Sequence, residues 1–136
     1  MGDVRSNKRS KKIEERKNYV SWFEIPAIDF TQAVDFYQRI FGITMQKNST
    51  DTNAMAFFPT SEGVGGAIIA GPGSIPSDTG PLIYLNGGND LNEVLDKVEG
   101  AGGRIIMQKT LISKDSGYFA IFIDSQGNKL ALYSRN

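Results

Sequence analysis

The chain has 136 residues, 40% of them hydrophobic, with fifteen basic and fifteen acidic side chains and neither histidine nor cysteine. That length and apolar content bound a single soluble domain with its own core, and no apolar run approaches the ~20 residues needed to cross a bilayer. Disulfides, thiolate metal sites, cysteine nucleophiles and any Ser-His-Asp set are excluded, and a cytoplasmic location is expected.

The balanced charge is unevenly spread. Residues 1–17 carry seven basic side chains (Arg5, Lys8, Arg9, Lys11, Lys12, Arg16, Lys17) against three acidic ones, a net of +4 that leaves −4 for the remainder. This start lacks an apolar stretch and reads as no secretory signal. A basic arm can bind nucleic acid or an anionic membrane. No aromatic residue precedes Tyr19, however, so bases have no stacking platform. Residues 1–18 are therefore expected to be a flexible or partly helical arm around Lys11–Lys17, with neither nucleic acid nor membrane as partner.

Tyr19 to Pro26 is aromatic and branched and ends at a proline, the pattern of a strand. Asp29 is placed to cap a helix opening at Phe30. Ala33, Phe36, Tyr37, Ile40 and Phe41 follow at helical spacing until Gly42 stops the run. Short strands are expected at Ile43–Lys47, Asn53–Pro59 and Gly66–Ala70, completing a βαβββ unit. The glycines and prolines of residues 71–81 mark a linker.

The second half repeats this order: strand Leu82–Asn86, then helix Asp90–Ala101 with Leu91, Val94, Leu95 and Val98 inward and Asp90 as cap. Strands Arg104–Gln108, Tyr118–Asp124 and Lys129–Ser134 complete it. Gly127-Asn128 forms the last hairpin turn, both residue types tolerating positive φ. The halves match at an offset of 61 residues, Phe23 with Tyr84, Ala33 with Val94, Gly42 with Gly103 and Phe57-Phe58 with Tyr118-Phe119. The glycines at 63, 65 and 66 precede a strand and lack a P-loop lysine, so they are no phosphate loop. The expected class is α+β: two βαβββ modules (19–70 and 82–136) within one domain, 19–136, forming a curled mixed sheet around a cleft.

Trp22-Phe23-Glu24-Ile25-Pro26, Asp29, Ala33 to Tyr37 and Phe41-Gly42 resemble the opening of the vicinal oxygen chelate proteins. That superfamily includes glyoxalase I, bleomycin-resistance proteins and extradiol dioxygenases. Gly102-Gly103, Gly117-Tyr118-Phe119 and Asp124 to Asn128 resemble its closing segment. The resemblance covers residues 19–136 and implies paired modules around a cleft, in a homodimer. Carried over by position, the family's metal-ligand places fall on Trp22, Ala70, Ile83 and Ala131. None of these can hold a cation, and histidine, the commonest ligand, is missing. No metal and no cofactor are expected, nor glyoxalase I or ring-cleaving dioxygenase activity.

With position 22 facing the cleft, strand alternation assigns its lining to Trp22, Glu24, Ile68, Ala70, Ile83, Leu85, Ala131 and Tyr133. Phe58 or Phe57, and Tyr118 or Phe119, would add an aromatic wall, with Phe58 and Tyr118 the residues chosen here. An apolar cup with one carboxylate and a phenol or two suits a small aromatic or cationic organic ligand, sequestered or carried. The alternative is a lyase or isomerase in which Glu24 is the general base and a tyrosine the acid.

Overall fold

The computed structural model describes residues 14–136; the expectations for residues 1–13 lie outside the described residues. Within the arm, Glu14–Lys17 form no helix, and the first strand begins three residues later than the aromatic run suggests. The element order is β1 (Trp22–Ala27), α1 (Phe30–Phe41), β2 (Gln46–Ser49), β3 (Ala54–Phe57), β4 (Gly65–Ala70), β5 (Tyr84–Asn86), α2 (Asn92–Leu95), β6 (Arg104–Ser113), β7 (Gly117–Ile123) and β8 (Lys129–Ser134). These elements make two four-stranded mixed sheets, ordered β1-β4-β3-β2 and β5-β8-β7-β6. In each, the first strand runs parallel to the last, and the remaining pairs are antiparallel. The two βαβββ modules of an α+β fold are thus present.

Local chemistry explains α1. Asp29, extended at φ −100°, accepts from the Gln32 amide, and Gly42 closes the helix in the left-handed conformation at φ 64°, as N- and C-caps require. Ala33, Val34, Phe36, Tyr37 and Ile40 form its buried stripe.

The second helix departs from expectation. Leu91, Val94, Leu95 and Val98 are buried as their spacing predicts, but only Asn92–Leu95 is α-helical. Around it the amides of Glu93, Lys97, Val98 and Gly102 bond to carbonyls three residues back, the tighter 3₁₀ pattern. Gly100, Gly102 and Gly103 leave little propensity to hold a further α-turn. The Asp90 carboxylate meets the Asn92 amide and the Lys109 ammonium; the residue at the N-cap position is Leu91, without a side-chain cap.

One core joins both modules. Phe36 meets Tyr37 edge-on at 4.9 Å and Phe122 of the second sheet at 6.2 Å between centroids. Gly103 allows this approach, because a Cβ there would lie 2.8 Å from Phe36 Cε1 and 2.6 Å from the Ile123 carbonyl oxygen.

Polar ties sit where β7 turns into β8. Asp124 Oδ1 accepts from the Gln126 and Asn128 amides, and Oδ2 accepts from Asn128 Nδ2 and the Tyr37 hydroxyl. Gln126 Oε1 accepts from the Ile28 and Asp29 amides at the start of α1. Gly127 takes φ 98° in this turn, but Asn128 does not take positive φ. Asn128 instead uses its side chain, Nδ2 donating to the Pro26 carbonyl and Oδ1 accepting from the Ser77 amide.

Candidate functional site: the outer faces of the two sheets

Each sheet buries one face against the helical segments and leaves the other outward. In the first, Ile25 and Ala27 are core residues, while Trp22 and Glu24 are exposed. Register partners share a face. Trp22 pairs with Gly65, Glu24 with Ala67, and Phe57 with Ala67 from the far side. The outer face therefore carries Trp22, Glu24, Ala67, Ile69, Met55 and Phe57. In the second sheet Leu85, Leu132 and Ala120 lie inward, so Tyr84, Asn86, Lys129, Ala131, Tyr133, Phe119 and Ile121 lie outward.

The two outer faces share one design. Trp22 leans towards Phe57 with centroids 6.2 Å apart, and Tyr84 leans towards Phe119 at 6.4 Å. Between the members of each pair runs one strand, with Gly65 and Ala67 of β4 beside Trp22 and Phe57, and Ala131 of β8 beside Tyr84. Gly65 lies directly under the indole, since a Cβ there would come 3.2 Å from Trp22 Cζ3. Ala67 and Ala131 are wholly buried although they face outward. Trp22 and Tyr84 themselves remain 44% and 53% exposed. Each module thus presents an outward aromatic pair across its middle strand. Trp22 Nε1 donates to Glu24 Oε2 at 3.3 Å, which places a carboxylate beside the indole.

Several residues assigned to the cleft lie elsewhere. Ile68 pairs with Ile25 in the core, and Ala70 packs against that core beside Ala27. Leu85 is a buried core residue and Ile83 packs on the same core. Phe58 points inward, 5.5 Å from Phe23 and 5.6 Å from Tyr37. Tyr118, opposite Ser134, packs on the core with Lys109 Nζ 4.6 Å above its ring. For Ile68, Ala70, Ile83 and Leu85 the cause is the offset of 61. It aligns the helical segments, Ala33 with Val94 and Tyr37 with Val98, but in the strands it is one residue out. Leu85, rather than Tyr84 or Asn86, is then set against outward Glu24. A one-residue slip sends every strand side chain to the opposite face.

Trp22, Glu24, Ala131 and Tyr133 are on the outer faces. The Tyr133 hydroxyl donates to the Ser116 carbonyl at 2.6 Å, so neither it nor inward Tyr118 offers an acid beside Glu24. Phe57, Tyr84 and Phe119 are outer-face aromatics missing from the chosen set. The available signal was the choice between Phe57 and Phe58, and between Tyr118 and Phe119, where the burial of neighbouring residues decides.

Phe23, Phe41, Phe58, Ile83 and Leu85, together with outward Tyr84, line an apolar cavity of about 580 Å³. A smaller cavity of about 250 Å³ lies between β1, residues 75–81 and the start of β8.

The donors present do not fit a transition-metal ion. Among the described residues no three His, Cys, Asp or Glu side chains converge. The places carried over from the resemblance hold no donor, and their outward counterparts in register, Glu24, Ala67, Tyr84 and Ala131, include one carboxylate.

Residues 19–132 match the Glyoxalase/Bleomycin resistance protein/Dioxygenase superfamily, and the chain belongs to it. Comparison with proteins of curated function finds no match. Among solved structures, glyoxalase I from Zea mays is 18% identical with a TM-score of 0.66 over 85% of this chain, which spans 44% of that protein's length. TnmS3, an antibiotic binding protein from Streptomyces sp. CB03234, is 19% identical with a TM-score of 0.60 over 90% of this chain and all of that one. A glyoxylase/bleomycin resistance protein/dioxygenase domain from Frankia sp. EAN1pec gives 14% and 0.67, over 88% and 98% of the two chains. At these identities the likeness is one of fold. Among the described residues no helix is long and apolar enough to cross a membrane.

Proposed function

We propose that the protein binds a small organic molecule without a metal, seating a planar apolar group on the outer-face aromatics and a polar or cationic group near Glu24. The observation that carries this reading is the pair of matched aromatic troughs, Trp22 with Phe57 over Gly65 and Ala67, and Tyr84 with Phe119 beside Ala131. Stacking on such rings contributes affinity beyond the apolar area covered. The donor-poor faces favour sequestration or carriage over metal-assisted turnover. The likeness in fold to an antibiotic binding protein agrees with this.

The same reading takes the protein to be a cytoplasmic homodimer. Ile106, Leu111 and Ile112 are exposed on the second sheet, and such surfaces and free edges favour cover by a second copy. Sedimentation of a dimer at micromolar concentration is expected.

Trp22 is the sole tryptophan, so its fluorescence reports on this site alone. A planar aromatic compound that raises the melting temperature should shift or quench the emission. Trp22→Ala should weaken that compound's binding by about ten-fold while the fold persists. Binding of such compounds with unchanged Trp22 emission, and undiminished by Trp22→Ala, would overturn the assignment of the site to Trp22 and Glu24.

A further inference from the structure

The smaller cavity has its own chemistry. Its walls come from three separate segments: Glu24 to Pro26 of β1, residues 75–81 of the connection, and Asn128 to Leu130 at the start of β8. The connection is tied in place as the third wall. Its Ser77 amide donates to Asn128 Oδ1 at 3.0 Å, and its Ser77 carbonyl accepts from the Lys129 amide at 3.3 Å. Ser77 Oγ also accepts from the Thr79 amide and lies 2.9 Å from Thr79 Oγ1. Ile25, Ile83 and Leu130 supply an apolar base, and Ile75, 72% exposed, stands on the connection above it.

Glu24 and Lys129 line this one cavity with opposite charges, yet among the described residues neither enters an ion pair. The contact made by the Glu24 carboxylate is the long one from the Trp22 indole. Two opposed charges beside an apolar base form a receptor for a molecule that carries both charges itself. A molecule carrying both charges can meet both side chains, whereas a simple anion or a simple cation meets one of them. Size narrows the class further. About 250 Å³ lies below the ~300–1,000 Å³ of sites for drug-sized ligands, and suits something near amino-acid size.

We propose that this cavity binds a small zwitterion with an apolar side chain, of the class of aliphatic α-amino acids. The ammonium group pairs with Glu24, the carboxylate with Lys129 and the neighbouring hydroxyls of Ser77 and Thr79, and the side chain lies between Ile75 and the base. The site shares Glu24 with the aromatic trough but does not depend on ligand binding there.

The 136-residue chain is to be titrated by calorimetry with each standard amino acid at millimolar concentration. The amide and N-acetyl derivatives of leucine, isoleucine and valine serve as probes lacking one charge. At least one aliphatic amino acid should bind, and losing either charge should weaken it by about ten-fold or more, as for hydrogen bonds to charged groups. Glu24→Gln and Lys129→Met should each reproduce that loss while the melting temperature of the free protein stays within a few degrees. Trp22→Ala should leave amino-acid binding in place, which separates this outcome from failure or success at the aromatic trough. No binding by any amino acid, or binding indifferent to both Glu24→Gln and Lys129→Met, would overturn the proposal.

Discussion

The Tyr37 hydroxyl donates to Asp124 Oδ2 at 2.6 Å, tying α1 of the first module to the β7–β8 turn of the second through a bond inaccessible to water. Burial first, then the charge of Asp124 and the hydrogen bond to it, push the Tyr37 hydroxyl well above its usual titration range. Asp124 has three further donors, the amides of Gln126 and Asn128 and the Asn128 side chain. A buried carboxylate is tolerable only when its lone pairs are met in this way.

Tyr37→Phe removes the longest-range member of that set, and a loss of about 2 kcal/mol is expected, typical of a bond to a charged group. Its pH dependence has a definite sign. The folded protein retains the phenolic proton when the unfolded chain has lost it, so the stabilisation is full below pH ~10 and declines as pH rises through the folded value. Urea melts should show wild type losing stability above pH ~10 while Tyr37→Phe loses less. Parallel alkaline profiles for the two proteins would show that Tyr37 is not the titrating group.

Asn128→Ala strips the Pro26 carbonyl, the Ser77 amide and the Asp124 carboxylate of a partner at once. Three deprived groups, one of them a buried charge, predict a loss of about 3 kcal/mol or more. The connection at residues 75–81 should also become more sensitive to limited proteolysis, because one of its two ties to β8 is gone. A variant destabilised without that change would indicate that the connection is held by other contacts.

Gly103→Ala is expected to destabilise by about 1–3 kcal/mol through overpacking, since the added methyl would meet Phe36, Val98 and the Ile123 carbonyl. Three residues earlier, Gly100 has ordinary φ and its Cβ would come no nearer than 4.0 Å to any atom. Gly100→Ala should therefore be neutral or stabilising by up to ~1 kcal/mol, by restricting the unfolded chain. Thermal melts of the two variants side by side test the contrast.

Asp90 titrates below the ordinary carboxylate range, chiefly because its charge accepts from the Asn92 amide and next because of the Lys109 ammonium. A depressed folded pKa gives stability that is present above the unfolded value and is lost as pH falls through the folded one. Wild type should thus exceed Asp90→Asn in stability at neutral pH, and the gap should close under acid. Lys109→Met should retain part of the effect, since the backbone amide remains. A gap constant from neutral pH to pH ~2 would contradict this assignment.

Much of the architecture could be read along the chain because its signals are local. The Asp29 cap, the α1 stripe from Ala33 to Ile40 and the Gly42 stop act within a few turns of helix, and the structure repeats them position for position. The second helical segment kept its inward residues but lost its length. Spacing reports which side of a segment is apolar, whereas α-helical length depends on propensity, which the glycines after Glu99 depress.

The sites were less legible. The chain by itself determined that two βαβββ modules would form, that Trp22 and Glu24 would share a side of β1, and that no histidine or cysteine could hold a metal. Only the tertiary structure decided which side of the other strands faced outward, and so replaced Phe58, Tyr118 and Leu85 by Phe57, Phe119 and Tyr84. It alone brought Glu24 and Lys129, 105 positions apart, to the walls of one cavity. The physical reason is the two-residue period of a strand. Helical periodicity survives an uncertain alignment, but a strand displaced by one residue exchanges its faces entirely, and pairing across the sheet is what sets the register.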